Sequence, residues 1–438
     1  MSVAETSKVN VLLIQLPFPK EYRWNPLGIG YLASNINGSH RLQIYDMNFY
    51  PRLSSLEMFL RLQNWDVVGI STLTSQERIC NDVARLAKRT TGARVVVGGP
   101  HATVKPEQVL GNSSVDDIVV GEGEIAMSRL VNGEYRERGI HSEPFIKDLD
   151  ALNFPARNMM EKGYFKYGYQ SLIASRGCPF NCKFCQPTAR KLFGARVRLR
   201  SPANVVAEIK DMKNVYNIGH VKLDDDTFTW NKDWVMGFCR EVAKLGVVWD
   251  CNARVNCIDR EMLTAMKSSG CNRIGFGIES GSQEILNYYR KGITIPQIED
   301  AFALCKEVGM SVHAYAILGA PMETLGTIQE TEELIERIKP DSIYISLLKP
   351  LPETDLYHEL KKEGRLLTDD WAAYEYSDDT PCIKMDNLSM EQLSQERKRL
   401  MKGFYRRKMW NPIYLWSSVR AYPFKYLVQK IRLGMKGE

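Results

Sequence analysis

Short apolar runs alternate with helically spaced segments along most of this chain. That alternation restricts it to folds built on parallel sheets. Residues 9–15 (Val-Asn-Val-Leu-Leu-Ile-Gln) form an apolar run, as a strand buried on both faces requires. Residues 28–36 follow with helical spacing. Residues 42–46 predict a second strand and 56–62 a second helix; 66–71 predict a third strand and 77–89 a third helix. A fourth strand is expected over 93–101, ending in a glycine-rich turn, and a fifth over 117–124. The pattern predicts a doubly wound parallel sheet. In such sheets ligands sit beyond the carboxyl ends of the strands. Here those ends carry residues 17–26, 71–75, 98–102 and 121–123. Their glycines either let backbone approach a ligand closely or simply make tight turns. No Gly-x-Gly-x-x-Gly follows the first strand, so a dinucleotide fold is not supported.

A second feature lies past the polar stretch 133–168. Residues 169–175 read as a short buried strand, and Gly177 and Pro179 then force a turn. Cys178, Cys182 and Cys185 follow with the spacing Cys-x3-Cys-x2-Cys. Three converging thiolates suit an iron–sulfur cube with one iron open, because cubane clusters take four Cys ligands. Zinc is the alternative, but structural zinc prefers two Cys pairs or Cys with His. The nearest histidines, His141 and His220, lie far from the loop in sequence.

Alternation then resumes. Ser201 is a plausible N-cap with Pro202 at the first helical position. Residues 220–228 predict a strand ending in Asp224, Asp225 and Asp226. A strand turns alternate residues to opposite faces, so the three acids cannot converge on one metal without distortion. Residues 247–255 carry Arg254, and 273–281 carry Glu279 inside an apolar run, where a carboxylate is costly unless something bonds it. Further strands are expected over 312–321, which contains Gly319, and 341–349. His313 and Tyr315 are either substrate-facing or ordinary core residues. About six strand–helix units are too few for the eight of a closed barrel, so the barrel should be open and partial.

With 438 residues and 44% hydrophobic content the chain is globular, with two or three domains at roughly 100 to 200 residues each. The first residues lack the apolar core of a signal peptide, which predicts reduced thiols or metal ligands for the ten cysteines. Those outside the loop are scattered and read as buried small residues. No run of 18 apolar residues occurs, and a net charge of +6 carries no general nucleic-acid argument. From Arg397 the tail is basic and aromatic: Arg406, Arg407, Lys408, Trp410, Tyr414, Trp416, Arg420, Tyr422, Phe424 and Lys425. Such a segment either seats a helix on an anionic bilayer or forms a lid with a solvated basic face. Pro412 and Pro423 break any single long helix.

At the cysteine loop, and in the segments after it, the sequence resembles the radical S-adenosylmethionine (SAM) enzymes. The resemblance implies a [4Fe–4S] cluster on Cys178, Cys182 and Cys185, whose open iron is chelated by SAM and whose electron cleaves SAM to methionine and a 5′-deoxyadenosyl radical. It implies SAM contacts from Phe184 near the adenine, Asp225 and Asp226 near the methionyl part, Arg254 at the carboxylate and Glu279 at the ribose hydroxyls. Gly319 flanks the adenine. Met322 and Glu353 stand where the family usually has Gly.

The turns at 26–30, 98–101 and 121–124 resemble those of the cobalamin-binding domain that precedes the radical domain in one large class of the family. The implied cobalamin residues are Ser71, Thr72, Gly98, Gly99, Gly121 and Gly123. The Asp-x-His-x-x-Gly motif of other B12 proteins is absent, as it is from most of this class. The expected fold is α/β: a Rossmann-like domain of B12-binding type over 1–132, a linker over 133–170, a partial (β/α)6 barrel over 171–365, and a helical segment over 366–438. SAM and substrate would sit between barrel and cobalamin domain. The implied reaction is methylation of an unactivated carbon in a biosynthetic intermediate, lipid or otherwise apolar, with the methyl group carried on cobalamin. Ring closure, deoxygenation or rearrangement is the alternative. A non-catalytic iron–sulfur or B12 carrier is the rival of another class, against which Arg254 and Glu279 speak. A methylthiolating RNA enzyme needs further first-domain cysteines, and only Cys80 is there. The implied partners are a small-molecule substrate and an electron donor such as flavodoxin or ferredoxin, with no nucleic acid. The expected location is the cytoplasm, with peripheral contact at the inner membrane face if the tail binds lipid. No catalytic acid or base is assigned.

Overall fold

The computed structural model describes residues 8–18, 25–36, 38, 40–166, 168–185, 187–375, 380 and 382–409. The chain divides into two compact units. One comprises Met1–Lys166, Ser175–Pro179 and Gln186–Arg200; the other comprises Tyr167–Ala174, Phe180–Cys185 and Ser201–Glu438.

The first unit holds strands β1 (Asn10–Gln15), β2 (Arg41–Asp46), β3 (Val67–Ser71), β4 (Arg94–Gly98), β5 (Asp117–Val120) and β6 (Gly139–Ser142). They form one parallel sheet in the order β2-β1-β3-β4-β5-β6. Alternate residues of the central strands feed two separate cores, as a doubly wound sheet requires. Leu12, Ile14, Val68, Ile70, Val95 and Val97 pack with helices Leu53–Leu60 and Glu77–Thr91. Val11, Leu13, Val67 and Val96 pack with helices Leu27–Asn35 and Gly123–Val131. Strand order reverses between β1 and β3, the switch point where such sheets open a crevice.

Two strand ends differ from expectation. The run 93–101 ends as a strand at Gly98; Gly99 turns at φ 91° and Pro100 starts the helix Pro100–Val104. The run 117–124 ends at Val120, Gly121 turns at φ 82°, and a helix opens at Gly123. Apolar content continues past each turn, which hides the boundary. The stretch read as a polar linker supplies β6. As an edge strand with alternating half-buried and exposed residues, it has no apolar run to reveal it.

The small antiparallel pair β8 (Ser175–Arg176) and β9 (Arg198–Leu199) belongs with the first unit. The second unit is a six-stranded parallel sheet of β7 (Tyr169–Leu172), β10 (His220–Leu223), β11 (Val248–Ala253), β12 (Cys271–Glu279), β13 (Ser311–Leu318) and β14 (Ser342–Leu347). Its linear order, β14-β13-β12-β11-β10-β7, leaves the sheet unclosed, the open partial barrel expected. Ser201 caps the helix Pro202–Tyr216, accepting from Asn204 N at 3.2 Å.

The helix Met390–Met409 lies along the edge strand β14, where Tyr405 donates to Ile343 O at 2.8 Å. Its Arg399 pairs with Glu332 at 2.7 Å and Arg407 with Glu336 at 3.2 Å, both on the helix Leu325–Ile338. Covering an edge in this way blocks unwanted strand pairing. Residues Trp410 to Lys425 of the basic aromatic tail lie outside the described residues. Among the described residues no helix is long and apolar enough to cross a membrane.

Candidate active site

In the first unit the carboxyl ends of β3 and β4 are level, with Ser71 opposite Gly98. Thr72 N donates to Gly98 O at 3.0 Å, and His101 N to Thr72 O at 3.0 Å. A Cβ on Gly99 would lie 2.9 Å from Ser71 Oγ and 3.0 Å from Thr72 N, so this one position admits only glycine. Ser71, Thr72, Gly98 and Gly99 therefore come together, with Gly121 at the end of the neighbouring β5, where its N–H donates to Thr103 Oγ1 at 3.2 Å. Gly123 has a different reason: a Cβ there would meet Leu32 Cδ2 at 2.9 Å, so it serves helix packing.

Glu122 and Glu124, between and after these glycines, are buried. Arg176 of β8 donates to Glu122 at 2.8 Å and to Glu124 at 2.5 Å, and Arg198 of β9 donates to both oxygens of Glu122. This cluster fixes the strand that leads into Cys178. In the sequence these two acids stand beside the glycines of the turn 121–124, with no periodicity to single them out. The argument applied to Glu279, that a buried carboxylate needs a partner, would have flagged them. Gly177, at φ 94°, approaches the returning chain so closely that a Cβ would meet Arg196 O at 2.5 Å.

In the second unit the rest of the loop is strapped down. Lys183 N donates to Tyr289 O at 2.8 Å, and Lys183 Nζ pairs with Glu359 at 2.5 Å over the Tyr288 ring. Phe184 meets Tyr289 edge-on at 5.0 Å. Cys178 and Cys182 are half-buried and Cys185 is exposed, and all ten cysteines are unbridged. Burial pushes Cys80 and Cys305 up to about 12 and Cys239 up to about 11, so these scattered thiols stay protonated.

Strand β10 ends at Leu223, short of the run expected over 220–228, so the three acids lie in the turn after it, where strand alternation does not apply; they still separate. Asp224 pairs with Lys222 at 2.6 Å, and buried Asp225 accepts from Ala174 N at 3.1 Å, just before the cysteine loop. Asp226 stays open to solvent yet is ringed by protein, and that desolvation raises its carboxyl above the usual range. Arg254, at the end of β11, lies 3.9 Å over the Phe180 ring, donates to Asn256 Oδ1 at 2.9 Å and points Nη1 at Cys182 Sγ, 3.7 Å away. Glu279 ends β12 at φ 59° and pairs with Lys291 at 2.5 Å.

Gly319, at φ 106°, packs against the C-terminal helix; a Cβ there would meet Leu393 Cδ2 at 2.9 Å. Its N–H donates to Glu323 Oε2 at 2.8 Å. Burial raises the Glu323 carboxyl even though it accepts from Gly319, Ala320 and Thr327. Thus Arg254 and Cys182 come together, and Asp225 braces the approach to the loop. His313 bonds Ser342 at 2.6 Å and stacks edge-on against Tyr315 at 4.3 Å.

Residues 172–335 match the model of the radical SAM superfamily, and residues 20–131 match that of the B12 binding domain. An uncharacterized methyltransferase of Pyrococcus horikoshii is 31% identical over 407 residues, which cover 87% of this chain and 88% of the relative. The chain belongs to the radical SAM superfamily, in the class that carries a B12-binding domain. The anaerobic magnesium-protoporphyrin IX monomethyl ester cyclase of Rubrivivax gelatinosus is 29% identical, covering 94% of this chain and 79% of the relative. Among solved structures, the cobalamin-dependent SAM radical enzyme OxsB superposes with a TM-score of 0.75 at 16% identity, covering 98% of this chain and 71% of OxsB.

As a radical SAM protein the chain is an enzyme with a [4Fe–4S] cluster, SAM and cobalamin as cofactors. Its residues fit these groups. Cys178, Cys182 and Cys185 are unbridged thiols in one short loop, with Arg254 beside Cys182, a donor set of the kind a cubane cluster takes. The glycine rim at β3 and β4 suits a ligand that backbone must approach closely.

Proposed function

We propose that this radical SAM enzyme transfers a methyl group to an unactivated carbon of a small apolar intermediate. The cluster supplies the electron that cleaves SAM, and cobalamin carries the methyl group. The observation that carries the reading is the pairing, in one chain, of a three-thiol loop with a glycine-lined rim on a B12-type sheet. Relatives named as methyltransferases support it.

In this reading Cys178, Cys182 and Cys185 hold the cluster. Arg254 binds the SAM carboxylate, Asp226 the methionyl end, Glu279 the ribose, and Phe184 with the Gly319 turn the adenine. Asp225 orients the loop. Ser71, Thr72, Gly98, Gly99 and Gly121 hold cobalamin, with Gly123 packing behind them. The domains run over 1–132, 171–365 and 366–438, with 133–170 between them. Flavodoxin or ferredoxin donates the electron. Arg399 and Arg407 are engaged by the chain's own acids, Glu332 and Glu336, at the edge of the sheet.

The test is anaerobic reconstitution with iron, sulfide and hydroxocobalamin, followed by product analysis. Methyl transfer yields both S-adenosylhomocysteine and 5′-deoxyadenosine. A corrin-free protein, or 5′-deoxyadenosine alone, would remove methylation and leave ring closure, which the cyclase relative favours.

A further inference from the structure

Glu279 is the residue of β12 with the least ordinary backbone. Its φ of 59° is rare for a side chain larger than glycine's, and the pairing of β12 with β13 slips between Gly277 and Glu279. Strained residues of this kind gather where a side chain must be aimed. Its Oε1 accepts from Lys291 Nζ at 2.5 Å, and both side chains are largely buried. A Cβ on Gly277 would lie 2.3 Å from that oxygen and 2.9 Å from Nζ, so the pair rests on bare backbone.

Lys291 is delivered by a turn built for it. Arg290 and Gly292 on either side are both left-handed, at φ 50° and 64°, and Lys291 N returns to Leu286 O at 3.0 Å. Gln283 anchors the far side through Ile293 O at 3.1 Å and Ile295 N at 3.2 Å, and Arg290 pairs with Asp355 at 2.7 Å. The turn also touches the neighbouring strand end: Asn256, which holds Arg254, donates to Gly292 O at 3.4 Å. One continuous set of contacts thus joins Cys182, Arg254, Asn256, the 290–292 turn and Glu279.

We infer that Lys291 is a positioning residue for SAM: its ammonium holds one oxygen of Glu279 and so aims the other at the hydroxyl donors of the ligand. This rests on the reading above that Glu279 contacts SAM. The test uses the reconstituted holoenzyme without oxygen. SAM affinity is read by calorimetry, and the response of the reduced cluster's electron paramagnetic resonance spectrum to SAM is recorded beside iron and corrin content.

Lys291→Met should weaken SAM binding about tenfold or more, since it strips one partner from a buried charged pair, with iron and corrin content unchanged. Lys291→Arg should recover most of the affinity. Lys291→Met added to Glu279→Gln should change little further, because Lys291 acts through Glu279. Full SAM affinity in Lys291→Met, with only the thermal stability lowered, overturns the inference. So does an additive loss in the double variant, which would mean that Lys291 meets the ligand itself. If Lys291→Met does not fold, Lys291→Leu decides: it removes the donor as well as the charge, and undiminished affinity there is equally fatal. A wild-type protein that ignores SAM sinks the underlying reading instead, and the wild-type titration separates the two failures.

Discussion

The strand ends of the two sheets are made of different material. Those of the first unit present backbone: Gly98, Gly99 and Gly121, with small Ser71 and Thr72 beside them. The charges nearby, on Glu122, Glu124, Arg176 and Arg198, are closed into pairs with one another. Those of the second unit present charged side chains, Asp226, Arg254 and Glu279, each set by a neighbour or left open to solvent. A backbone rim leaves room for volume and is indifferent to charge, which suits a broad ligand. A rim of charged groups reads the polarity of a small one. The two ends therefore should fail under different substitutions.

The largest effect is expected where the contrast is sharpest. Cys182→Ala should abolish the cluster and with it all SAM cleavage, while corrin binding by the isolated holoprotein persists; iron analysis and the visible spectrum check both. Corrin lost along with iron would break the division of labour.

Next comes Arg176→Met, which strips the arginine from buried Glu124 while Arg198 still holds Glu122. It should cost about 3–5 kcal/mol in denaturant unfolding. A loss under 1 kcal/mol would mean that the charges of the first unit are not structural after all.

Gly99→Val should cost on the order of 2–4 kcal/mol, from a forced left-handed backbone and the clash with Ser71 and Thr72, and should remove corrin binding. Gly98→Ala is the control: its Cβ would meet nothing nearer than Val119 O at 3.6 Å, and corrin should still bind. Equal losses in the two variants would sink the backbone-rim account.

Arg399→Ala, on the exposed helix pair, should cost about 1 kcal/mol or less by thermal melting and leave both rims untouched.

Much of this was legible beforehand because it is local. Parallel strands buried on both faces read as apolar runs, and the cysteine spacing lies within eight consecutive residues. What escaped is non-local or polar. Strand β6 has no apolar signature, because an edge strand needs none. Arg176 reaches back to acids more than fifty positions earlier, and no periodicity announces such a pair. Lys291 is separated from Glu279 by a helix and a turn. Gly319 was read only as a ligand-side glycine, yet its bare Cα is where Leu393 of the last described helix packs.

The sequence by itself determined the apolar strands of the two sheets, their order along the chain and the identity of the three thiols, because burial and spacing act over a few residues. Only the tertiary structure decided which charged side chain answers which. Such pairings depend on where distant turns deliver their ends, and a difference of a few ångströms separates a buried ion pair from an unsolvated charge.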